Sequence, residues 1–269
     1  ERFWPASRRA RPKQFLPILD GRSPLQETAA RLQPVVPLEH TYVVTTEGYA
    51  GQVLEQLPQL PPENLILEPV GRNTAACIGL AAVVMAQRLG PEATMVVLPS
   101  DHWVRPVGAF QQVLSSAIQA AESDNWLVTL GIRPSRPETG YGYIRHGPER
   151  MAFEGLPAYP VEAFVEKPDR ARAQRYLLDG NYLWNSGIFI WKVGVILTEL
   201  HQHLPQIYEP LAALRGQVDT PQFSEAVRRV YPGLPSISID YGVMERARRI
   251  LVFPCSFAWD DLGSWPALA

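Results

Sequence analysis

The segment NTAACIGLAAVVMAQRLGPEATMVVLPSD, residues 73–101, decides the fold. It begins with Asn73 and Thr74, which are suited to cap a helix, and continues as an apolar run to about Leu89, which predicts a buried helix. Residues 94–98 are short, apolar and followed by a polar turn, which predicts a buried strand. A buried helix that leads directly into a buried strand is typical of α/β proteins.

The same alternation of strand and helix continues outward in both directions. Ser23, Pro24 and Gln26 form a helix start, with a serine cap, a proline in the first turn and a glutamine three residues on. The pattern predicts a parallel sheet with helices on both faces. Strands are predicted at residues 41–46, 65–67, 94–98, 126–130, 141–145, 161–166 and 187–191, and helices at residues 49–57, 73–89, 110–122, 170–178, 193–203, 222–230 and 241–247.

Composition excludes several classes of protein. The 269 residues carry 25 basic and 27 acidic side chains, a formal net charge of −2, and 46% of them are hydrophobic, which excludes a disordered chain. The longest nearly apolar run, residues 75–86, is shorter than the roughly 20 residues of a membrane-spanning helix, so no membrane partner is expected. Only Cys77 and Cys255 occur, so neither a disulfide framework nor a zinc motif is predicted, and the expected location is cytoplasmic.

The basic residues are distributed unevenly. Only three of the 25 basic residues are lysines: Lys13, Lys167 and Lys192. Each lysine either occurs there by chance or is required for a function that arginine does not serve. An ammonium is a compact point charge suited to a single phosphate oxygen, which favours phosphate contacts for some of them. The first thirteen residues contain five cations, including Arg2 and Arg8, interleaved with aromatic residues. A basic arm for nucleic acid is one interpretation, but the rest of the chain has no basic excess, so a small phosphate-rich ligand is favoured.

Two predicted strands end at polar groups where open α/β sheets bind their ligands. These groups are Glu68 and the pair Ser100 and Asp101. A carboxylate there suits Mg²⁺, which uses one or two carboxylates and shares its other positions with phosphates and water. The alternative is that Asp101 only caps the turn. His102 is a candidate general base, although packing is the favoured interpretation of its position.

Other mechanisms lack their motifs. The chain has no GxxxxGK[ST] string, no GxGxxG after a strand and no GxSxG, which argues against a P-loop, a dinucleotide site and a serine nucleophile.

Eight motifs in chain order, each weak alone, together resemble the bacterial mannose-1-phosphate guanylyltransferases. They extend over nearly the whole chain and read FWPASR…PKQF, EPVGRNTAA, LPSDH, TGYGYI, EKPD, NSGIF, SIDYGVMER and WDDLGSW. The resemblance implies an α/β, Rossmann-like nucleotidyltransferase core with a mixed, mostly parallel central sheet flanked by helices. It implies the reaction of GTP with mannose 1-phosphate to give GDP-mannose and pyrophosphate, with Mg²⁺.

The resemblance also implies roles for individual residues. Three basic side chains match phosphate-binding and catalytic positions: Arg2, Lys13 and Lys167. Asp101 and Asp261 match the two carboxylates that hold Mg²⁺. The remaining matches are to substrate-binding positions: Arg8, Glu68, Asn73, Thr74, Ser100, Gly142, Glu166 and Asn185.

The family pattern includes parts that the 269 residues do not contain. It begins with a strand and a glycine-rich loop before the position of Arg2, and it often continues past WDDLGSW into a β-rich domain. We therefore expect residues 1–269 to form a single catalytic domain without those parts. The alternatives left open are another sugar 1-phosphate as substrate, a non-catalytic nucleotide-sugar regulator, and an RNA-binding module. A homodimer is an expectation that the sequence does not test.

Overall fold

The structure is a computed structural model that describes residues 3, 6–8, 11–19 and 21–263. Its helices agree with most of the predicted ones to within a few residues. They are α1 (Pro24–Leu32), α2 (Ala50–Gln56), α3 (Asn73–Arg88), α4 (Val107–Ser123), α5 (Arg170–Asp179), α6 (Val193–His203), α7 (Pro205–Ala212) and α8 (Phe223–Val230). Among the described residues, no helix combines the length and the apolar character needed to cross a bilayer.

Every predicted strand is present, and further short strands join them. The strands are β1 (Val43–Thr46), β2 (Leu65–Glu68), β3 (Thr94–Val97), β4 (Trp103–Arg105), β5 (Leu127–Ile132), β6 (Tyr143–His146), β7 (Met151–Phe153), β8 (Leu156–Val165), β9 (Tyr182–Lys192), β10 (Ile250–Cys255) and β11 (Ala258–Asp260).

Helix α1 begins as its sequence predicts. The Ser23 hydroxyl accepts the N–H of Gln26 at 3.2 Å, and the Gln26 side chain accepts the N–H of Ser23 at 3.1 Å. Pro24 occupies the first turn, where its missing N–H costs no hydrogen bond. This reciprocal cap satisfies two donors that a helix start would otherwise leave unpaired.

The central sheet has seven strands and is mixed, as expected, but its pairings are mainly antiparallel. Strand β9 pairs antiparallel with β3, β5 and β6, and β8 pairs antiparallel with β6, β7 and β10. Within this sheet β5 and β10 pair in parallel, and β1 and β2 form a separate parallel pair. The mostly parallel arrangement is therefore corrected. Strand β9 lies between β3 and β5, so these two strands point the same way without pairing directly.

Helices cover both faces of this sheet. Helices α3, α6 and α7 share one buried cluster with Leu127 of β5 and with Ile250 and Val252 of β10. Helix α4 shares the opposite cluster with Val128 of β5 and Leu251 of β10. Successive residues of one strand thus enter different cores, which explains why these strands carry apolar residues on both faces.

Two local predictions need correction. Asn73 does not occupy the cap position of α3, which Arg72 holds; its side-chain oxygen accepts the N–H of Thr74 at 2.8 Å instead. The helix predicted over residues 241–247 is a π-helical turn, Asp240–Met244. Both departures lie beside the cavity described below, where irregular backbone is frequent in functional sites.

Candidate active site

Two short strands that the sequence patterns did not predict bring distant parts of the chain together. Strand β11 pairs antiparallel with β4, and Asp260 lies opposite Trp103. Asp101 precedes Trp103 by two residues, and Asp261 directly follows Asp260. Both aspartates therefore lie at the same end of this strand pair. The chain's end returns to the loop after β3, which a shared site for the two carboxylates requires.

Lys13 joins these two segments. Its ammonium lies 2.8 Å from Oδ2 of Asp101 and donates to the carbonyl oxygens of Asp261 at 2.6 Å and Leu262 at 3.2 Å. Only 7% of Lys13 is exposed. A buried charge is costly unless it has polar partners, and these three oxygen atoms supply them. The Asp261 carboxylate in turn accepts the hydroxyl of Tyr141 at 3.0 Å. The structure thus brings together three of the predicted residues, Lys13, Asp101 and Asp261.

His102 packs beneath this loop. Its Nδ1 accepts the indole N–H of Trp259 at 3.1 Å, and its Nε2 lies 3.8 Å from Oδ1 of Asp101. Burial lowers the pKa of His102 to about 4, so the ring is neutral at physiological pH. With Nδ1 accepting, the proton of the neutral ring is on Nε2. This geometry agrees with the packing interpretation of His102.

A second cluster of predicted residues lies across the cavity. The main-chain N–H of Asn185 in β9 donates to the carbonyl of Gly142 at 2.8 Å, which fixes the two residues side by side. Lys167 donates to Oε1 of Glu166 at 2.7 Å, and this bond raises the pKa of the lysine. The Asn185 amide donates to Oδ1 of Asp240 at 2.8 Å. Asp240 was not among the predicted site residues.

Because Gly142 has no side chain, it leaves space for the side chains of the second cluster. A Cβ atom at Gly142 would lie 2.4 Å from Oε2 of Glu166 and 3.3 Å from Cβ of Asn185. No side chain fits there unless Glu166 moves. The absence of a side chain keeps the Glu166 carboxylate next to the main chain of residue 142.

Lys167 has a left-handed backbone, with φ of 45°. This conformation is uncommon for a residue with a side chain, and Lys167 lies two residues after the end of β8. Pro168 comes next and cannot extend the strand. The turn therefore places Lys167 at the cavity while its neighbour Glu166 stays packed, with its side chain 8% exposed.

Glu68 differs from its predicted place. It is 7% exposed and shares the buried face of β2 with Ile66, because residues two apart in a strand point the same way. Its carboxylate accepts the hydroxyl of Tyr231, and burial raises its pKa. The structure puts Glu68 among the buried groups rather than on the cavity wall.

The other predicted residues are divided. Asn73, Thr74 and Ser100 line the cavity, and the Thr74 hydroxyl also accepts the N–H of Ile239 at 2.8 Å. Arg8 is exposed and pairs through its main chain with Arg11. The prediction for Arg2 lies outside the described residues.

The cavity has a volume of about 1170 Å³ and two distinct parts. The polar part is lined by Asp101, Asp261 and the second cluster. The apolar part extends between β1 and β3 and is lined by side chains such as Val44, Met95 and Ile78. Among the described strands, β1 pairs only with β2, and β3 pairs only with β9.

The carboxylates suit a magnesium ion that is shared with a phosphate ligand. Among the described residues, no group of three or more His, Cys, Asp and Glu could hold a metal ion. A complete protein cage is not what Mg²⁺ needs, since it commonly binds one or two carboxylates together with phosphates and water. The Lys13 ammonium already shows that a cation is accommodated against Asp101. The donor set of Asp101 and Asp261 therefore fits Mg²⁺.

Comparison with known proteins identifies the class. The model of the family described as nucleotidyl transferase matches residues 1–269, and the chain belongs to this family. The xanthan biosynthesis protein XanB of Xanthomonas campestris pv. campestris (strain B100) is 43% identical over 270 residues, 99% of this chain and 56% of that protein.

Two further relatives carry more specific names. The mannose-1-phosphate guanylyltransferase of Escherichia coli (strain K12) is 41% identical over 272 residues, 99% of this chain and 56% of that protein. The chain spans about half the length of these curated relatives. A crystal structure from Thermus thermophilus, named mannose-1-phosphate geranyltransferase, is 42% identical with a TM-score of 0.86, and the match covers 99% of this chain and 74% of that one.

Proposed function

We propose that this protein transfers GMP from GTP to mannose 1-phosphate, giving GDP-mannose and pyrophosphate. The observation that carries the proposal is that Asp101 and Asp261 face the same cavity as Glu166, Lys167 and Asn185. One group suits the phosphates of a nucleotide, and the other suits a polyhydroxylated phosphate ester. Relatives named mannose-1-phosphate guanylyltransferase support the same assignment.

The proposed reaction needs no general base. An anionic oxygen of mannose 1-phosphate attacks the α-phosphorus of GTP, and a new P–O bond forms. The bond from the α-phosphorus to the bridging oxygen breaks, and its electron pair leaves with pyrophosphate. The nucleophile is already ionised at neutral pH, so catalysis consists of positioning and electrostatic stabilisation. A neutral, packed His102 is compatible with this chemistry.

Each part of the cavity has a proposed task. Lys167 holds the phosphate of the sugar, while Glu166 and Asn185 bind its hydroxyls beside Gly142. Asn73 and Thr74 contact the nucleoside. Aligning two substrates in this way can contribute roughly 7–11 kcal/mol through effective concentration.

The residues near the two aspartates act on the nucleotide phosphates. Arg2 neutralises the phosphate oxygens of GTP, with Arg8 as a further contact. Lys13 acts on them indirectly, through Asp101, against which its buried ammonium lies. Asp101 and Asp261 would hold Mg²⁺, which supplies charge neutralisation on the phosphates when bound. Ser100 contacts the same group from the loop after β3.

A substrate panel tests the proposal. Each of four nucleoside triphosphates is combined with mannose 1-phosphate or glucose 1-phosphate, with Mg²⁺ present or chelated, and both pyrophosphate and the sugar nucleotide are measured. We expect GDP-mannose to dominate and to disappear with EDTA. A preference for another sugar phosphate would correct the substrate, and binding without turnover would indicate a regulatory homologue. Salt-dependent binding of RNA without turnover would replace the proposal.

We further propose that the enzyme is cytoplasmic and homodimeric. Cell fractionation tests the first statement. Sedimentation at several protein concentrations tests the second, and a constant monomer mass would overturn it.

A further inference from the structure

Asp240 is an acidic residue to which the proposed reaction has so far given no task. It begins the π-helical turn Asp240–Met244, and it lines the cavity next to Lys167 and Glu166. Burial raises the pKa of Asp240 to about 6, and the charge of Glu166 contributes to the rise. Burial beside another carboxylate disfavours the charged form of Asp240, and a cavity-lining acid with such a shifted pKa is a candidate for function.

Asp240 fixes the direction of the Asn185 amide. The amide nitrogen of Asn185 donates to Oδ1 of Asp240 at 2.8 Å, and the amide oxygen accepts the N–H of Gly187 at 3.0 Å. The two bonds together decide which end of the amide is nitrogen. That nitrogen lies 3.6 Å from the Cβ position of Gly142, so it faces the space that the glycine leaves. Its second N–H is a donor that Asp240 orients.

Glu166 supplies a second hydrogen-bond acceptor, its Oε2 atom. Its Oε2 is buried and has no hydrogen-bond partner among the described residues, while Oε1 binds Lys167. A buried carboxylate oxygen without a donor costs free energy unless a ligand supplies one. It lies at the same glycine-lined space that the Asn185 amide faces. The wall therefore offers two carboxylates and one oriented amide N–H to a single ligand.

The chemistry of this wall fits a neutral polyol that carries one phosphate. Hydroxyl groups donate to carboxylates and accept from an amide, whereas an anionic ring substituent would be repelled by Glu166 and Asp240. The cation Lys167 lies at the edge of the same wall.

We propose that Asp240 is a specificity-determining residue that accepts a hydrogen bond from a ring hydroxyl of the sugar phosphate and orients the Asn185 amide toward the same ring. It thereby selects neutral hexose 1-phosphates over those with a carboxylated ring. The proposal rests on the proposed function, because it concerns the sugar phosphate of that reaction.

The test compares the wild type with Asp240→Asn, which keeps the size of the side chain and removes its charge. The substrates are mannose 1-phosphate and its 2-, 3-, 4- and 6-deoxy analogues. We expect Asp240→Asn to raise the KM for mannose 1-phosphate about 10- to 100-fold, the range for a lost charged hydrogen bond, with the KM for GTP unchanged. The penalty disappears for the one analogue that lacks the contacted hydroxyl. Asp124→Asn, an exposed carboxylate paired with Arg249, is the matched control.

Two results would overturn the proposal. One is an equal penalty on every analogue, and the other is an equal rise in the KM for GTP, since both indicate a structural role. Asp240→Glu, which keeps the charge and lengthens the side chain, gives a second measurement if the asparagine variant does not fold. Calorimetric titration with mannose 1-phosphate alone needs no turnover. If the wild type binds mannose 1-phosphate without turnover, and Asp240→Asn weakens that binding, the proposed function is wrong and this inference stands. If the wild type does not bind mannose 1-phosphate, both are wrong.

Discussion

Trp259 donates its indole N–H to Nδ1 of His102 across 3.1 Å, between residues 157 positions apart in sequence. The two rings also meet edge to face, with centroids 5.1 Å apart. This contact ties the segment that carries Asp261 to the loop that carries Asp101. The distance between the Asp101 and Asp261 carboxylates therefore depends on the hydrogen bond between Trp259 and His102, in which neither carboxylate takes part.

Loss of that bond is expected to weaken the site without removing any ligand-binding group. Trp259→Phe keeps an aromatic ring but leaves the buried His102 nitrogen without its donor, a cost of about 1–3 kcal/mol. We expect a lower Tm and a rise in the Mg²⁺ concentration needed for half-maximal turnover. Trp126→Phe is the control, since Trp126 packs under the Arg249 guanidinium and does not line the cavity. Equal effects of the two substitutions would contradict the role of the Trp259 bond.

Removal of either candidate metal carboxylate should abolish turnover. Asp101→Asn and Asp261→Asn are each expected to lower kcat at least about 100-fold, because charge on the phosphates is no longer neutralised. Circular dichroism should report an unchanged fold, and Asp124→Asn should keep wild-type activity. Near-normal turnover in both variants would refute their assignment.

The space at Gly142 gives a prediction with a close control. Gly142→Ala puts a Cβ atom 2.4 Å from Oε2 of Glu166, so the carboxylate must move. We expect a KM for mannose 1-phosphate raised at least about 10-fold, equivalent to about 1.4 kcal/mol, with the KM for GTP unchanged. At Gly140 the new atom would lie 3.4 Å from Glu138, and Gly140→Ala should be nearly neutral. A rise in both KM values would indicate general misfolding.

Asp240 should make sugar binding depend on pH. Its pKa is about 6, and the groups that face it are Glu166, Lys167 and Asn185. Below that pH the carboxyl gains a proton and ceases to be a charged acceptor, so kcat/KM for mannose 1-phosphate should fall as the pH drops from about 7 to about 5. The ratio of wild type to Asp240→Asn removes the titration of the substrate itself. A ratio that is constant over this range would be inconsistent with the assignment.

The Asp240 carboxylate should also lower the free energy of unfolding. Its pKa is above the ordinary value of 3.8, so the folded protein holds the proton more tightly than the unfolded chain. The cost is present above about pH 6 and is lost as the pH falls toward 3.8. Asp240→Asn should therefore raise the free energy of unfolding by about 2–3 kcal/mol at about pH 8, and by much less at about pH 4.5, in urea titrations. A variant that is less stable than the wild type at the higher pH would show that the Asp240 carboxylate stabilises the fold instead.

Local sequence signals predicted the regular elements because each is determined by neighbours along the chain. The cap of α1 is set by Ser23, Pro24 and Gln26. The apolar run of residues 94–98 predicted a buried strand, and the structure has the strand at Thr94–Val97, but of its residues only Met95 is buried. The parallel content of the sheet could not be predicted in this way. It depends on where β9 inserts, which is a long-range choice that strand composition does not encode.

The candidate site was predictable only in part. Asp101 was predicted from the end of a strand and Asp261 from the resemblance, but their meeting depends on β4 and β11, which are too short to give a periodic signal. Glu68 was placed at the ligand edge because it ends a strand, and in the substrate pocket by the resemblance. In the structure it shares the buried face of β2 with Ile66. Asp240 stands in the motif SIDYGVMER, directly before the helix predicted over residues 241–247, but the resemblance gave it no role. An acid in an otherwise apolar stretch was the available signal.

The contact between Lys13 and Asp101 has a consequence for how the protein is assembled. A structural metal supplies the positive charge that lets acidic segments approach, and chelators unfold such proteins. Here a lysine from the same chain supplies that charge, at 2.8 Å from one aspartate and 2.6 Å from the main chain of the other. We therefore expect folding not to require the ion that the chemistry would use, so that a chelator abolishes turnover while the melting temperature stays the same.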